Sequence, residues 1–215
     1  MKKIPLLLIV VLFISGCTVI RSSNIDTLTN EIAIKDIKKS NTYRKGYKYY
    51  LPQGLRVKDK TDYNEVINYK SYQLYLYVDV VSYYNKKELV YETSIEPYFT
   101  KSLEYNGKKG YIEINLSDNE KYLIEIMYNY AKIEVIVEKD DINEVLTYSL
   151  SILNSIKYND SVISNLLEED VLSFSEEEFD IFSKSKNESK YLFYLEEYDK
   201  YNDKDDELRD NDLIK

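Results

Sequence analysis

The hydrophobic period of this chain changes between residues 138 and 141, and that change constrains the fold more than any other feature. Before it, apolar residues alternate with polar ones, as they do in strands with one buried face. In "YQLYLYVDVV" (72–81), Tyr72, Leu74, Leu76, Val78 and Val80 share one face, and Gln73, Tyr75, Tyr77 and Asp79 the other. "YIEINL" (111–116) sets Ile112, Ile114 and Leu116 inward, and "KIEVIVE" (132–138) does the same with Ile133, Val135 and Val137. "LIEIMY" (123–128) alternates as well, and the short gap Asn129-Tyr130-Ala131 joins it to 132–138 as an antiparallel hairpin. Asn106-Gly107 marks a tight turn before the strand at 111. After the change, "DINEVLTYSLSILNSI" (141–156) carries Ile142, Val145, Leu146, Leu150, Ile152, Leu153 and Ile156 on a broad helical stripe. Asp141 with Glu144 three residues on has the spacing of a capping box. The expected class is α+β: an antiparallel sheet flanked by helices, with the 141–156 helix across it, followed by a small helical C-terminal region.

Other segments are shorter. "IDTLTNEIAIKDIK" (25–38) predicts a short helix, and residues 41–62, punctuated by Gly46, Pro52 and Gly54, predict short strands joined by turns. Residues 17–157 hold 20 acidic and 20 basic side chains, whereas 158–215 carry a net charge of −11. Within the neutral part, residues 17–70 are net +5, which predicts a basic membrane-proximal end and an acidic far end. In the acidic part, 158–201 has apolar residues at helical spacing, among them Ile163, Leu166, Leu167, Phe179, Phe182, Leu192 and Phe193. Residues 202–215 have too little to bury and are expected to be disordered.

The N-terminus indicates where the chain resides. Met1-Lys2-Lys3 is followed by a mostly apolar run to Ile14, too short for a bilayer core that takes about 20 residues. A positive head, an apolar middle and small residues at the end match an export signal. Ile14-Ser15-Gly16-Cys17 then resembles the lipobox of bacterial lipoproteins. The resemblance implies cleavage before Cys17, lipidation of its thiol, and anchorage at the extracytoplasmic face of the cell membrane. Cys17 is the chain's only cysteine, so no internal disulfide is available and lipidation would consume an otherwise free thiol. The expected division is a signal peptide at 1–16, a lipidated tether and short helix at 17–40, the sheet domain at 41–157, the helical acidic region at 158–201 and the tail at 202–215.

Tyr50-Leu51-Pro52-Gln53-Gly54-Leu55 and Ile152-Leu153-Asn154-Ser155-Ile156-Lys157 together resemble the PsbP-like family over about residues 41–157. Leu55 stands where that family often has Trp, and this chain has no Trp. The resemblance implies an antiparallel sheet flanked by helices and a non-catalytic role in the assembly of membrane complexes.

Composition argues against catalysis. With no His there is no Ser-His-Asp triad and no His-ligated metal, and the five Gly form no phosphate-binding loop. Glu168-Glu169-Asp170 and Glu176-Glu177-Glu178 read as solvated helix faces, and the Asp203–Glu207 run lacks the Gly and the distant Glu of a calcium loop. No catalytic residue, metal or cofactor is expected, and no basic stripe with interleaved aromatics points to nucleic acid. Tyrosine is abundant, 24 of 215, which AT-rich coding explains and a binding surface also would. Two function classes follow. One is a membrane-anchored interaction or assembly module with a protein partner. The other is a solute- or glycan-binding lipoprotein in which Tyr75, Tyr77, Tyr83 and Tyr84 stack on the ligand. A flat tyrosine face favours the first, and a deep tyrosine-lined pocket the second.

Overall fold

The computed structural model describes Ile20, residues 23–88, Tyr91, Thr93 and residues 96–168. Cys17, the acidic runs from residue 169 on, and the 202–215 tail lie outside the described residues. The architecture is α+β, as the change of period requires. A seven-stranded sheet has the order β3-β4-β5-β9-β8-β7-β6, antiparallel at every step. Its strands are β3 (Arg56–Lys60), β4 (Asn64–Tyr69), β5 (Tyr72–Val78), β6 (Phe99–Tyr105), β7 (Lys108–Leu116), β8 (Tyr122–Tyr128) and β9 (Ala131–Val137). A three-stranded sheet, β1 (Thr42–Arg44), β2 (Tyr47–Tyr49) and β10 (Lys157–Tyr158), is ordered β1-β2-β10. Among the described residues the fold is completed by helices α1 (Ile25–Ile34), α2 (Val80–Tyr84), α3 (Ile142–Ser155) and α4 (Asp160–Glu168).

The inward residues of the large sheet face α3. Leu74, Leu76, Ile112, Ile114, Ile124, Ile126, Ile133, Val135 and Val137 meet Val145, Leu146, Leu150, Ile152 and Leu153 in one core. The 129–130 and 106–107 turns close with both central residues at positive φ, the geometry that matches the right-handed twist of a hairpin. Beside α3 runs α1, parallel to it, and two asparagines of α3 fix the pair. In the first turn of α3, Asn143 Nδ2 donates to the carbonyls of Ile20 (3.1 Å) and Ser23 (2.7 Å). In its last turn, Asn154 Nδ2 donates to Ile32 (2.9 Å) and Lys35 (2.7 Å). Opposite, the small sheet covers a buried ionic group. Glu65, fully buried on β4, takes Arg44 in a fork (3.0 and 2.6 Å) together with the hydroxyls of Tyr47 and Tyr49.

Four sequence expectations are corrected. The first helix stops at Ile34 rather than residue 38, because Asn154 satisfies its last carbonyls and Lys35 turns extended. The strand from 72 stops at Val78 rather than 81. Asp79 accepts the amide of Ser82 (2.8 Å) and starts α2, where Val80 is still buried but from a helix. The inward parity of β7 ends at Ile114. Leu116, its last residue, is 66% exposed because the strand runs out past the helical cover. The capping box of α3 does not form. Asp141 closes a 3-10 turn (Lys139–Asp141) and its carboxylate accepts the hydroxyl of Tyr72 (2.6 Å). Glu144 accepts Tyr69 (2.5 Å) and Lys70 (2.6 Å), so both acids serve the β4–β5 turn instead.

The start of the acidic region belongs to the same body. Lys157 and Tyr158 pair with β2, and α4 buries Ile163 and Leu166. Among the described residues no helix is long and apolar enough to cross a membrane.

Candidate functional site: the outer face of the large sheet

Alternation that buries one face of a sheet necessarily writes a second, outward list of residues. Register turns that list into rows. One row crosses six strands as Thr100, Glu113, Glu125, Glu134, Tyr75 and Val66. The next runs Ser102, Tyr111, Met127, Lys132, Tyr77 and Asn64. Three glutamates therefore stand directly opposite one another across β7, β8 and β9, an arrangement that repels unless donors and cations offset it.

They do offset it. Lys132 reaches Glu134 at 2.6 Å and Glu125 at 3.1 Å. Tyr111 donates to Glu125 (2.5 Å), and Asn115 to Glu113 (2.6 Å). Tyr91 comes over the face from the α2–β6 connection, stacks on Tyr111 with centroids 3.8 Å apart, and donates its hydroxyl to Glu113. Glu113 and Glu134 are buried although the helices lie on the other side of the sheet; their neighbours in the rows, and Tyr91, cover them.

Burial pushes the Glu125 carboxyl up, but Lys132 and then the Tyr111 bond outweigh it and hold the group below its ordinary value. Glu134 goes the other way: burial pushes it up, Lys132 pulls it down, and the adjacent Glu125 tips it above the ordinary range. The Lys132 ammonium loses by burial and gains more from Glu125 and Glu134, so it stays charged. Burial and then the neighbouring Glu125 raise the Tyr111 hydroxyl, which remains a proton donor. Two facing carboxyls share one cation and separate in acidity, as such pairs do. Each is already engaged by the chain, so the group is a fixed pattern of charge and hydrogen bonds on the outer face of the sheet. Among the described residues no three His, Cys, Asp or Glu side chains are placed to share a metal ion.

The four tyrosines singled out from the sequence divide. Tyr75 and Tyr77 lie half-buried on the outer face, in adjacent rows, with the Tyr75 hydroxyl donating to Gln73 (3.1 Å). Tyr83 and Tyr84 sit on α2 and tie it to α4. The Tyr83 ring stacks on Tyr158 at 3.8 Å and its hydroxyl donates to Asp160 (2.9 Å). Tyr84 donates to Ser164 (3.3 Å). Tyr130 meets Tyr83 edge-on and Lys86 lies 3.8 Å over the Tyr83 ring, so that ring is enclosed by its own chain. A cleft of about 840 Å³ opens at the other end of the molecule, lined by Ser23–Asp26, Tyr98, Phe99, Lys139, Asp140, Ile142 and Asn143, and by none of the four tyrosines.

Sequence reasoning passed over Glu113, Glu125, Glu134, Lys132, Tyr91 and Tyr111. A signal was present. The three glutamates are the centres of Ile-Glu-Ile, Ile-Glu-Ile and Ile-Glu-Val in successive strands. No family model, curated protein or solved structure matches the chain.

Proposed function

We propose that this protein is a lipid-anchored lipoprotein of the extracytoplasmic membrane face that acts as a non-catalytic interaction or assembly module. The anchor rests on Ile14-Ser15-Gly16-Cys17 behind a short export signal, with the chain's only cysteine at the lipobox position. Two lipid chains on that cysteine give stable attachment where one gives only marginal binding. The observation that carries the interaction role is the makeup of the tyrosine-bearing surface. Tyr75 and Tyr77 sit on the outer sheet face with the glutamate row, and Tyr83 is stacked away against Tyr158. A mixed polar and aromatic sheet face suits a protein partner. A solute or glycan wants a concave site lined by rings. The weak resemblance to the PsbP-like family points the same way.

Two measurements test this. Cys17→Ser should abolish incorporation of labelled palmitate; equal labelling of the variant removes the anchor. A photo-cross-linking residue at Tyr75 should give one discrete protein adduct in intact cells, and the same residue at Tyr43, off that face, should not. Adducts to glycan alone would favour the solute-binding reading.

A further inference from the structure

Resting on the lipid-anchored reading, we infer that the end of the domain holding the first turns of α1 and α3 lies on the phospholipid surface, with Tyr98 and Leu116 in the headgroup layer.

The inference starts from chain length. Three residues, whatever their conformation, span at most about 11 Å, so Ile20 lies within that reach of the lipidated Cys17. Ile20 is not free to wander from the domain. Its carbonyl, and that of Ser23, are held by Asn143 Nδ2 in the first turn of α3, and its side chain packs against the core. The tether is thus clipped to one end of the fold, and that end is kept at the membrane.

What is displayed there fits the location. Five large apolar side chains are exposed among the described residues: Ile34, Tyr43, Tyr84, Tyr98 and Leu116. Tyr98 (47% exposed) lines the cleft beside Ser23 and Asn143, and its ring meets Tyr122 at 4.7 Å. Leu116 (66% exposed) is the strand partner of Tyr122. These two therefore flank the clipped tether. Ile34 belongs to the opposite end, where the β6–β7 turn holds its carbonyl through Asn106. So does Tyr43, on the strand beside β2, which pairs with β10 just after α3 ends. The length of α3 separates the two ends by about 20 Å. A tyrosine and a leucine at the water–lipid boundary bury apolar surface while the hydroxyl stays wet.

Charge does not select this end. Asp26 pairs with Lys101, Glu138 with Lys121 and Glu144 with Lys70 there, and Lys139 and Asp140 both line the cleft. The basic surplus of residues 17–70 is divided between the two ends: Lys70 bonds Glu144 in the first turn of α3, whereas other lysines lie at the far end. Lys35 follows the C-terminus of α1, the Lys157 ammonium bonds the carbonyl of Lys38 (3.0 Å), and Lys48 pairs with Lys157. Proximity in sequence to the anchor is not proximity in space, because α1 carries the chain away from it.

The chain suits a direct test. It has one cysteine and no Trp. The mature chain can be coupled through Cys17 to a maleimide-headgroup lipid in phosphatidylcholine vesicles, whether or not cells lipidate it. Single reporters Tyr98→Trp, Leu116→Trp, Ile34→Trp and Tyr43→Trp are then read by quenching with brominated lipid. Strong quenching at 98 and 116, and little at 34 and 43, is expected. Equal quenching at all four, or none at any, overturns the orientation. Asn143→Ala, with its fold checked by circular dichroism, should erase the contrast between the two ends; an unchanged contrast would remove the clip. Loss of palmitate labelling in cells would bear on the anchor alone and leave this geometry standing.

Discussion

Removal of the Lys132 ammonium is the sharpest probe of the outer face. In Lys132→Met the apolar stem is kept and the charge lost, leaving Glu125 and Glu134 opposite each other across β8 and β9. Lys132 touches them at 3.1 and 2.6 Å. One opposite pair at such range is worth about 4 kcal/mol at an effective dielectric of 20. Desolvation of the ions returns part of this, and breaking a buried pair costs about 3–5 kcal/mol in practice. Glu125 keeps 27% of its side chain in contact with solvent, so the lower figure, about 3 kcal/mol at pH 7, applies. For a chain of this size that is a fall in Tm of about 6–12 °C. The sign with pH follows from linkage. Glu134 already stands above its ordinary value of 4.5, so its contribution is fully present below that pH and is lost as pH rises through its folded value. Without Lys132 both carboxyls are raised, and protonating them relieves the repulsion. Glu125, held low in the parent, instead loses its contribution there as pH falls. The deficit must therefore shrink between pH 7 and about pH 4. Urea melts at the two pH values measure it, and Lys132→Met with Glu134→Gln should recover much of the loss at pH 7. A deficit below about 1 kcal/mol at pH 7, or one that is the same at both, would refute the ionic account of this face.

Two further perturbations test the sheet itself. Val78→Asp places a charge at a position 1% exposed and should cost more than about 4 kcal/mol, whereas Tyr77→Asp on the half-exposed face should cost about 1–2 kcal/mol. Equal damage in thermal melts would mean that the sheet is buried on both faces. Gly110→Ala should cost about 3 kcal/mol or more, because a Cβ there would meet the Met127 carbonyl oxygen at 1.9 Å and the β7–β8 backbones cannot both retreat. Gly107→Ala, at φ +74° with open space around it, should cost only about 1 kcal/mol. Denaturant midpoints compare them, and equal losses would show that close strand approach is not what position 110 requires.

Much of the fold could be read from the residues because its signals are local. Period two in 132–138, Asn-Gly at 106–107 and the stripe of 141–156 each act within a few residues and form within a residue of the expected bounds, while the 72–81 alternation forms a strand as far as Val78. The failures are places where a distant partner decides. Asp141 and Glu144 have capping-box spacing, yet Tyr72, Tyr69 and Lys70 claim them from a turn some seventy residues earlier. Asn154 ends α1 from more than a hundred residues away. Leu116 has inward parity, but parity says nothing of where the helical cover stops.

The site was less legible than the fold for a related reason. Tyr75 and Tyr77 belong together because one strand carries them, and a single strand is readable. The glutamate row needs three strands in register, and nothing within Ile-Glu-Ile or Ile-Glu-Val says that the three centres align. Had β8 and β9 slipped by two residues, Glu125 would face Lys132 or Ile136 instead of Glu134, and the row of three glutamates would be broken. Repulsion between facing carboxylates would favour such a slip. The observed register survives because Asn129-Tyr130 fixes the β8–β9 hairpin, and because Lys132, Tyr111 and Tyr91 neutralise the row once it forms. The polar face is thus a consequence of turn chemistry and core parity together. Its charge pattern becomes available to a partner only when the apolar side of the same strands has found its cover.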